Sequence, residues 1–299
     1  MSGVVGEDIV APAFGVRRSE TLEILRRASA FGRTRVGLAI TAAIVGVAVI
    51  GPFVAPHSPT AFVASPFAAP SGDAALGTDY LGRDVLSRLL AGGRSVLVLS
   101  LIATVLGLAL GVTVGLVAGH ARNWLDDLLM RSADVLLAFP QVVFILLLVS
   151  MLGSHLWLIV LAVAVTHAPR IARVARGATL EILEQDFVKA SEAMGERRLR
   201  LLFADVLPNI TNPLLVELGL RLTYSIGLIA AVSFLGFGLQ PPAADWGLMI
   251  NENRNGITVQ PWAVALPVSA IALLTIGTNL VTDGIARASI GIERAARAN

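Results

Sequence analysis

Long apolar runs alternate with short polar segments along the chain. Six of these runs contain few charged residues. They span residues 36–56, 95–119, 135–153, 156–168, 213–238 and 261–285. About 20 apolar residues in a helix cross the roughly 30 Å hydrocarbon core of a bilayer. The pattern predicts an all-α fold, a polytopic membrane helix bundle with six transmembrane helices. Proline should kink the third helix at Pro140 and end the fourth at Pro169.

The apolar runs divide the chain into three regions. Residues 1–35 form a polar N-terminal tail, residues 36–285 form the membrane domain, and residues 286–299 form a basic C-terminal tail. The N-terminal tail is too long and too acidic for a cleavable signal peptide. We expect it to contain a short amphipathic helix from about Ser19 to Phe31.

Basic residues predict which ends of the helices face the cytoplasm. Eighteen of the 23 lysines and arginines fall in the two tails, in the loop 120–134 and in the segment 170–209. Because basic residues favour the cytoplasmic side, both termini and residues 186–209 are expected inside the cell. The segments around residues 76–94 and 239–260 are then expected outside.

Small residues recur every fourth position in two of the predicted spans. Such a stripe lets another helix backbone approach closely. We expect these helices to pack within the bundle or against a partner subunit, with a homodimer face as the alternative. The stripes consist of Ala103, Gly107, Gly111, Gly115 and Gly119 in the second span, and of Gly219, Thr223, Gly227 and Ala231 in the fifth.

Composition excludes several classes of function. The chain is 55% hydrophobic and 15% charged, well below the roughly 25% charged residues of soluble domains. A net charge of +2 is too small for a nucleic-acid-binding surface, and the absence of cysteine excludes disulfides and thiolate metal sites. The only lysine, Lys189, follows Val188, so no phosphate-binding Gly-Lys-Ser/Thr loop exists. Any ATP must bind to another subunit.

Catalytic and metal-binding groups do not form a recognisable motif. The four histidines, at positions 57, 120, 155 and 167, lack metal-ligand spacing, so no metal site is predicted. An intramembrane Ser/His hydrolase is an alternative without a supporting motif. A proton-coupled secondary transporter would need acids deep in the membrane, whereas Glu217 and Asp283 lie near predicted helix ends. It remains the alternative from another functional class.

The polar segment 186–209 predicts two short helices joined by a turn. In the first, one face carries Phe187, Ala190, Ser191 and Met194. Gly195 stands where a helix should stop, since glycine adopts the left-handed conformation freely. The second helix should run from Arg197 to Val206 and not continue past Pro208, with one face carrying Leu199, Leu202, Phe203 and Val206.

This arrangement resembles the cytoplasmic coupling loop of bacterial ABC importer permeases. That loop reads Glu-Ala-Ala, three residues, Gly, nine residues, Ile, one residue, Leu-Pro. Here Lys189 replaces the Glu and Asp205 replaces the Ile, but the spacing is intact. The resemblance implies that the segment docks into a groove on an ATPase subunit. The candidate coupling residues are Phe187, Lys189, Ala190, Ser191, Ala193, Met194, Gly195, Leu207 and Pro208.

The segment 76–97 predicts a helix lying in the membrane interface before the second span. Thr78 or Asp79 can cap it, and Asp79–Arg83 and Asp84–Arg88 are i,i+4 pairs. The segment also resembles a signature of the C-type permease subunit of dipeptide, oligopeptide and nickel importers, as does Ser233–Gly247. The matching residues of the first signature include Gly77, Thr78, Asp79, Gly82, Arg83, Asp84, Ser87 and Arg88.

Polar side chains inside the apolar runs are candidates for lining a pore, because they avoid lipid. Hydrogen bonds between helices are an equally good explanation for each of them. The candidates are Gln141, Thr223, Ser225, Ser233, Thr275 and Asn279.

The resemblance implies a permease subunit of an ATP-driven, binding-protein-dependent importer in the bacterial inner membrane. It implies a task, the import of dipeptides or oligopeptides, with nickel or another small ligand as the alternative. It also implies partners: a distinct B-type permease that forms the other half of the pathway, one or two ATPase subunits and an extracytoplasmic substrate-binding protein. The chain itself would be non-catalytic and hold no cofactor, with ATP and Mg²⁺ bound by the ATPases.

Overall fold

A computed structural model describes residues 17–298 of the chain and the side chains of residues 22–290. This part is helical, apart from loops, short non-α turns and two isolated β-bridges. The helices are α1 (Arg17–Ala30), α2 (Gly32–Val54), α3 (Val85–Ala91), α4 (Gly93–Ala121), α5 (Trp124–Ala138), α6 (Gln141–Leu152), α7 (Leu156–Leu183), α8 (Asp186–Ala193), α9 (Arg198–Arg200), α10 (Thr211–Phe234), α11 (Trp246–Asn253) and α12 (Trp262–Ala298).

Five helical stretches of the described chain are long and apolar enough to cross a membrane. They begin at Gly32, Val85, Leu156, Arg198 and Trp262. A sixth candidate is the pair α5 and α6, whose axes differ by 88°. The predicted membrane helix bundle is therefore confirmed, with six spans when the bent pair counts as one.

The third predicted span is a sharp corner instead of a kinked helix. α5 ends at Ala138, and Phe139 is extended, with φ −85° and ψ 135°. The clash between the Pro140 ring and the preceding residue disfavours helical geometry at Phe139. α6 then starts at Gln141. The expected polar loop at 120–134 is also mostly helical, because Asn123 caps α5 by accepting a hydrogen bond from Leu125 N at 2.9 Å.

Two prolines that were expected to end helices do not do so. Pro169 lies inside α7, which continues to Leu183 instead of stopping at residue 168. Helical structure also continues through Pro208, where a π-helical segment (Leu201–Val206) passes into a 3₁₀ turn (Leu207–Ile210) and then into α10. Packed membrane helices tolerate proline because local π and 3₁₀ adjustments satisfy the freed backbone groups.

Close helix packing fixes the core of the bundle along the glycine stripe of α4. A Cβ atom added at Gly111 would lie 2.5 Å from Ile171 Cβ, and one at Gly115 would lie 2.6 Å from the Ala172 carbonyl oxygen. Both neighbours belong to α7. The second-span stripe therefore contacts another helix of the same chain, which is the packing within the bundle that the sequence predicts.

The bundle has two distinct ends. One end, called here the loop end, carries α1, the last turns of α4 and α7, residues 186–209 and the end of α12. The opposite end carries residues 55–84, α3 and α11. At the loop end, Ile24 and Ala28 of α1 pack against Ile285 and Ala288 of α12. α1 thus corresponds to the helix expected in the N-terminal tail, and α12 extends past the predicted boundary at 285; residues 1–16 lie outside the described part.

Candidate functional site

Residues 186–209 form a short helical loop that joins α7 to α10 at the loop end. Val188 of α8 is fully buried. It belongs to an apolar cluster with Leu201, Leu202 and Val206. This buried contact packs α8 against the start of the helical stretch that leads into α10.

The outer surface of this loop includes large apolar side chains that are exposed. Met194 is 77% exposed, Leu199 is 71% exposed and Phe203 is 55% exposed. Ala190 and Ala193 are exposed beside them. We call this set of five side chains the exposed apolar surface; small and apolar side chains on a short helix suit insertion into a groove of another protein.

The two helical faces predicted for this loop are only partly correct. In α8, Phe187 and Ser191 are half-buried, whereas Ala190 and Met194 point outwards. In the second helix, Leu202 and Val206 are buried but Leu199 and Phe203 are exposed. In the second helix the reason is the π-helical segment Leu201–Val206, because its wider turn breaks the 3.6-residue period on which the prediction depends.

Gly195 ends α8 in the predicted conformation. Its φ is +79°, and its backbone N donates to the Glu192 carbonyl oxygen at 3.0 Å. A side chain placed there would meet nothing within 4 Å in this chain. Gly195 is therefore required by the backbone conformation and not by internal packing. The last two candidate coupling residues lie further along, with Leu207 half-buried and Pro208 exposed.

Ion pairs connect the loop to the end of α4. Arg122 binds Glu184 with an N–O distance of 2.8 Å, and Lys189 lies 3.5 Å from the other oxygen of that carboxylate. Arg122 chiefly, together with Lys189, lowers the pKa of Glu184. These side chains are about half exposed, so the interaction orients α8 more than it stabilises the fold.

At the opposite end, Leu76–Arg88 does not form the predicted interfacial helix. α3 begins only at Val85, and its N-cap is Asp84, whose carboxylate accepts from Ser87 N at 2.9 Å. Asp84 is therefore committed to capping, and the expected Asp84–Arg88 pair does not form. Ser87 and Arg88 are fully buried, so this helix lies inside the protein.

A four-residue charge cluster lies at the centre of this end. Arg83 Nε is 2.7 Å from Asp79 Oδ2, as predicted for that pair, and Arg83 Nη2 is 3.1 Å from Glu252 Oε2. Arg88 Nη2 is 2.7 Å from the same Glu252 oxygen. No side chain of the four is more than 5% exposed. Two arginines and two carboxylates balance in charge, and they join the loop before α3 to α11.

The remaining signature residues hold the same loop in place. Thr78 Oγ1 donates to the Ser65 carbonyl oxygen at 2.6 Å and accepts from Ala68 N at 2.8 Å. Gly77 and Gly82 have φ of +76° and +84°, which favours glycine. Tyr80 Oη donates to Glu252 Oε1 at 3.1 Å, and burial together with Glu252 raises the pKa of Tyr80.

The second signature, Ser233–Gly247, packs into the same end. Asp245 caps α11 by accepting from Leu248 N at 2.9 Å, and the Ser233 hydroxyl donates to the same carboxylate. Trp246 is fully buried, and its Nε1 donates to the Leu89 carbonyl oxygen at 2.8 Å. Both signatures therefore build the scaffold of this end of the bundle.

The structure divides the candidate pore residues into two groups. Thr223, Thr275 and Asn279 line an open groove between α10 and α12. Gln141 lines a second groove at the corner between α5 and α6. Ser225 and Ser233, by contrast, are buried within the chain.

Hydrogen bonds inside the bundle account for these two buried serines. Ser225 Oγ lies 2.9 Å from Thr104 Oγ1 and 3.0 Å from His167 Nε2, and Ser233 binds Asp245. These contacts are the hydrogen bonds within the bundle that the sequence offers as the alternative to pore lining. Within residues 17–298 no group of three or more His, Asp or Glu side chains could hold a metal ion.

Sequence reasoning missed two residues that matter at these sites. Glu252 completes the charge cluster, but it lies 164 residues after Arg88, so local spacing gives no signal for the contact. Arg170 lines the groove at the α5–α6 corner. Its position on one helical face with Arg173 and Arg176 was visible in the sequence, but nothing there separates it from those two.

The fold defines a polytopic helical membrane protein, with a short helical loop at one end and a buried charge cluster at the other. A family model described as "Binding-protein-dependent transport system inner membrane component" matches residues 111–290, which is more than half of the chain. The chain belongs to this family. It is a membrane-spanning permease component of a binding-protein-dependent transport system, located in the inner membrane.

Individual relatives agree with the family match. The chain is 37% identical to the glutathione transport system permease protein GsiD of Pectobacterium atrosepticum over 72% of each chain. It is 39% identical to the di/tripeptide transport system permease protein DppC of Pseudomonas aeruginosa, over 83% of this chain and 84% of that protein. Identity to the dipeptide transport system permease protein DppC of Alkalihalophilus pseudofirmus is 33%, over 84% and 83%. The resemblance seen in the sequence is confirmed.

Proposed function

We propose that this chain is one of two permease subunits of an ATP-driven importer of dipeptides or oligopeptides. It forms half of the translocation pathway with a distinct permease partner. An extracytoplasmic binding protein delivers the substrate, and one or two ATPase subunits supply the energy. The names of the relatives, which concern dipeptides, di/tripeptides and glutathione, support a peptide substrate.

The observation that carries the proposal is the exposed apolar surface of residues 186–209. An aqueous loop that leaves Met194, Leu199 and Phe203 more than half exposed is incomplete without a partner. The loop is rigidly joined to α7 and α10 through Val188 and its cluster. When ATPase subunits close on ATP and move the docked loop, the ends of α7 and α10 move with it.

ATP binds outside this chain in the proposed mechanism. The only lysine, Lys189, is not part of a phosphate-binding loop. It is half exposed on α8 beside Glu184. The permease thus converts movement of its partner into opening and closing of the pathway without carrying out a chemical step, and ATP and Mg²⁺ belong to the ATPase subunits.

The loop end faces the cytoplasm in this proposal, as the distribution of basic residues favours. A chain without cysteine allows a direct test with single introduced cysteines. Asp73→Cys, in the exposed loop before α3, should react with a membrane-impermeant maleimide added to intact spheroplasts. Glu192→Cys, exposed on α8, should react only after the membrane is opened. The reverse pattern would contradict this orientation.

The test of function is ATPase activity of the complex purified with the products of neighbouring genes. In lipid, binding protein loaded with a mixture of di- and tripeptides should stimulate ATP hydrolysis several-fold over unloaded binding protein. Stimulation by nickel or another small ligand alone would keep the transporter class and reject peptides. A purified permease that retains no ATPase subunit would reject the proposal.

A further inference from the structure

Arg170 differs from the two arginines that follow it on α7. Arg173 forms an ion pair with Asp134, and Arg176 forms two hydrogen bonds with Asp126, each with an N–O distance of 2.6 Å. Both carboxylates belong to α5. Arg170 forms no hydrogen bond or ion pair with any residue in the described part of the chain, and its side chain is exposed. Its charge is therefore not neutralised within this subunit.

The reason lies in the corner between α5 and α6. The face of α7 that carries the three arginines runs along α5, but α5 ends at Ala138. Beside Arg170 the corner therefore offers only apolar side chains and the amide of Gln141. The residues that line the resulting groove include Phe139, Gln141, Thr166, Arg170 and Leu228.

Nearby carboxylates cannot serve as counter-ions for Arg170. Asp134 and Asp126 are bound by Arg173 and Arg176. On α10, Glu217 is bound by Arg221, with an N–O distance of 2.9 Å. Each of these three carboxylates is paired with another arginine, so none of them is a counter-ion for Arg170.

Arg170 lies within α7, one of the helices that are long and apolar enough to cross a membrane. It is 14 residues after Leu156, the first residue of α7, which places it about 21 Å along the helix at 1.5 Å per residue. An arginine in a membrane-spanning helix is costly when it faces lipid, so membrane proteins direct it towards water or a counter-ion.

We propose that Arg170 and this groove form a binding site for the carboxylate of the transported ligand. The inference rests on the proposed function and specifies the ligand chemistry within it. The guanidinium supplies two parallel N–H donors to a carboxylate, a pairing about twice as strong as a neutral hydrogen bond. The Gln141 amide lies at the edge of the site, where its Nε2 donates to the Thr166 carbonyl oxygen at 3.3 Å. Apolar side chains, including Phe139 and Leu228, line the rest of the groove.

The test compares two forms of one dipeptide in the complete transporter in proteoliposomes. One form is alanyl-alanine with its free carboxylate, and the other is the same dipeptide with a C-terminal amide. The binding protein is loaded to saturation with each form. In the wild-type complex we expect slower uptake of the amide. Arg170→Gln should lower uptake of the carboxylate form about tenfold, the effect of losing one charge-assisted hydrogen bond, and leave uptake of the amide unchanged.

Two further variants separate charge from position. Arg170→Lys keeps the charge but loses the paired donors, so its uptake of the carboxylate form should fall between wild type and Arg170→Gln. Arg173→Gln removes an arginine one turn away that already has Asp134 as a partner. It should leave the ratio of carboxylate to amide uptake unchanged.

Other results would overturn the inference in distinguishable ways. Equal loss of both forms in Arg170→Gln, or loss of neither, would show that Arg170 does not bind the carboxylate while the proposed importer stands. Loss of the partner permease on purification of Arg170→Gln would assign the counter-ion to that subunit. If the wild-type complex takes up neither dipeptide with ATP, the proposed function fails and the inference fails with it.

Discussion

Single residues at the two ends of the bundle act through different physical effects. Gly195 is fixed by its left-handed backbone and contacts nothing at its Cβ position. Glu252, in contrast, is fixed by two arginines in a site closed to water. Substitution of the first should affect communication with a partner, whereas substitution of the second should affect the stability of the fold.

Gly195→Val should uncouple ATP hydrolysis from transport. The left-handed conformation costs an ordinary residue roughly 1–2 kcal/mol, and it costs a β-branched residue more. The turn after α8 should therefore rearrange. We expect at least tenfold less transport per ATP hydrolysed in proteoliposomes, with unchanged amounts of protein in the membrane. Gly195→Asn is the matched control, because asparagine tolerates this conformation, and it should keep most of the activity. Full transport by Gly195→Val would argue against a coupling role.

Glu252→Gln should destabilise the protein strongly. The neutral amide leaves Arg83 and Arg88 buried with only Asp79 as a counter-ion. Breaking a buried ion pair costs about 3–5 kcal/mol, which should appear as a markedly lower melting temperature in detergent. Glu23→Gln removes an ion pair with Arg27 whose side chains are about half exposed, and it should change the melting temperature little. Equal melting temperatures for the two variants would show that the charge cluster is not a structural brace.

Helices in this protein are held together mainly by backbone proximity at small residues. α4 and α7 meet where glycines leave room for the opposite backbone. Without a strong hydrophobic force between helices in lipid, such contacts and their van der Waals packing drive association. The loop between α7 and α10 is then positioned by the same helix pair.

Gly111→Ala should weaken the contact between α4 and α7. The new methyl group would lie 2.5 Å from Ile171 Cβ and 2.7 Å from the Ala168 carbonyl oxygen, so the helices must separate. Overpacking of this kind costs about 1–3 kcal/mol, which a melting experiment in detergent can detect. Gly46→Ala in α2 makes the same change where nothing lies within 4 Å, and it should leave stability unchanged or slightly higher. A stable Gly111→Ala protein would mean that the contact is looser than the structure indicates.

Local sequence patterns predict the elements of this fold but not every contact between them. The length of the apolar runs and the four-residue glycine period of α4 are local signals, and the corresponding helices and packing are observed. The corner at Pro140 and the continuation through Pro169 and Pro208 depend on neighbouring helices, which the sequence pattern does not contain. Glu252 meets Arg88 only because α11 folds back over α3, so this contact required the structure.

At the scale of the whole molecule, the proposed function makes the chain one of two permease subunits, and three of its surfaces are the expected contacts for ligand and partners. The exposed apolar surface of residues 186–209 lies at one end. The grooves lined by Thr223, Asn279 and Arg170 lie along the helices between the two ends. The rigid cap joined by Glu252 closes the opposite end. We expect movement of the ATPase subunits to act on the loop end, and the ligand to pass along the grooves.

The most direct test of ATP-driven import is uptake of a labelled dipeptide by the complete complex in proteoliposomes, with the binding protein outside and ATP inside. We expect the dipeptide to accumulate only when both ATP and the binding protein are present. An imposed pH gradient should neither drive uptake by itself nor substitute for ATP. Uptake that follows the pH gradient and continues without ATP would contradict it, and would favour proton-coupled transport instead.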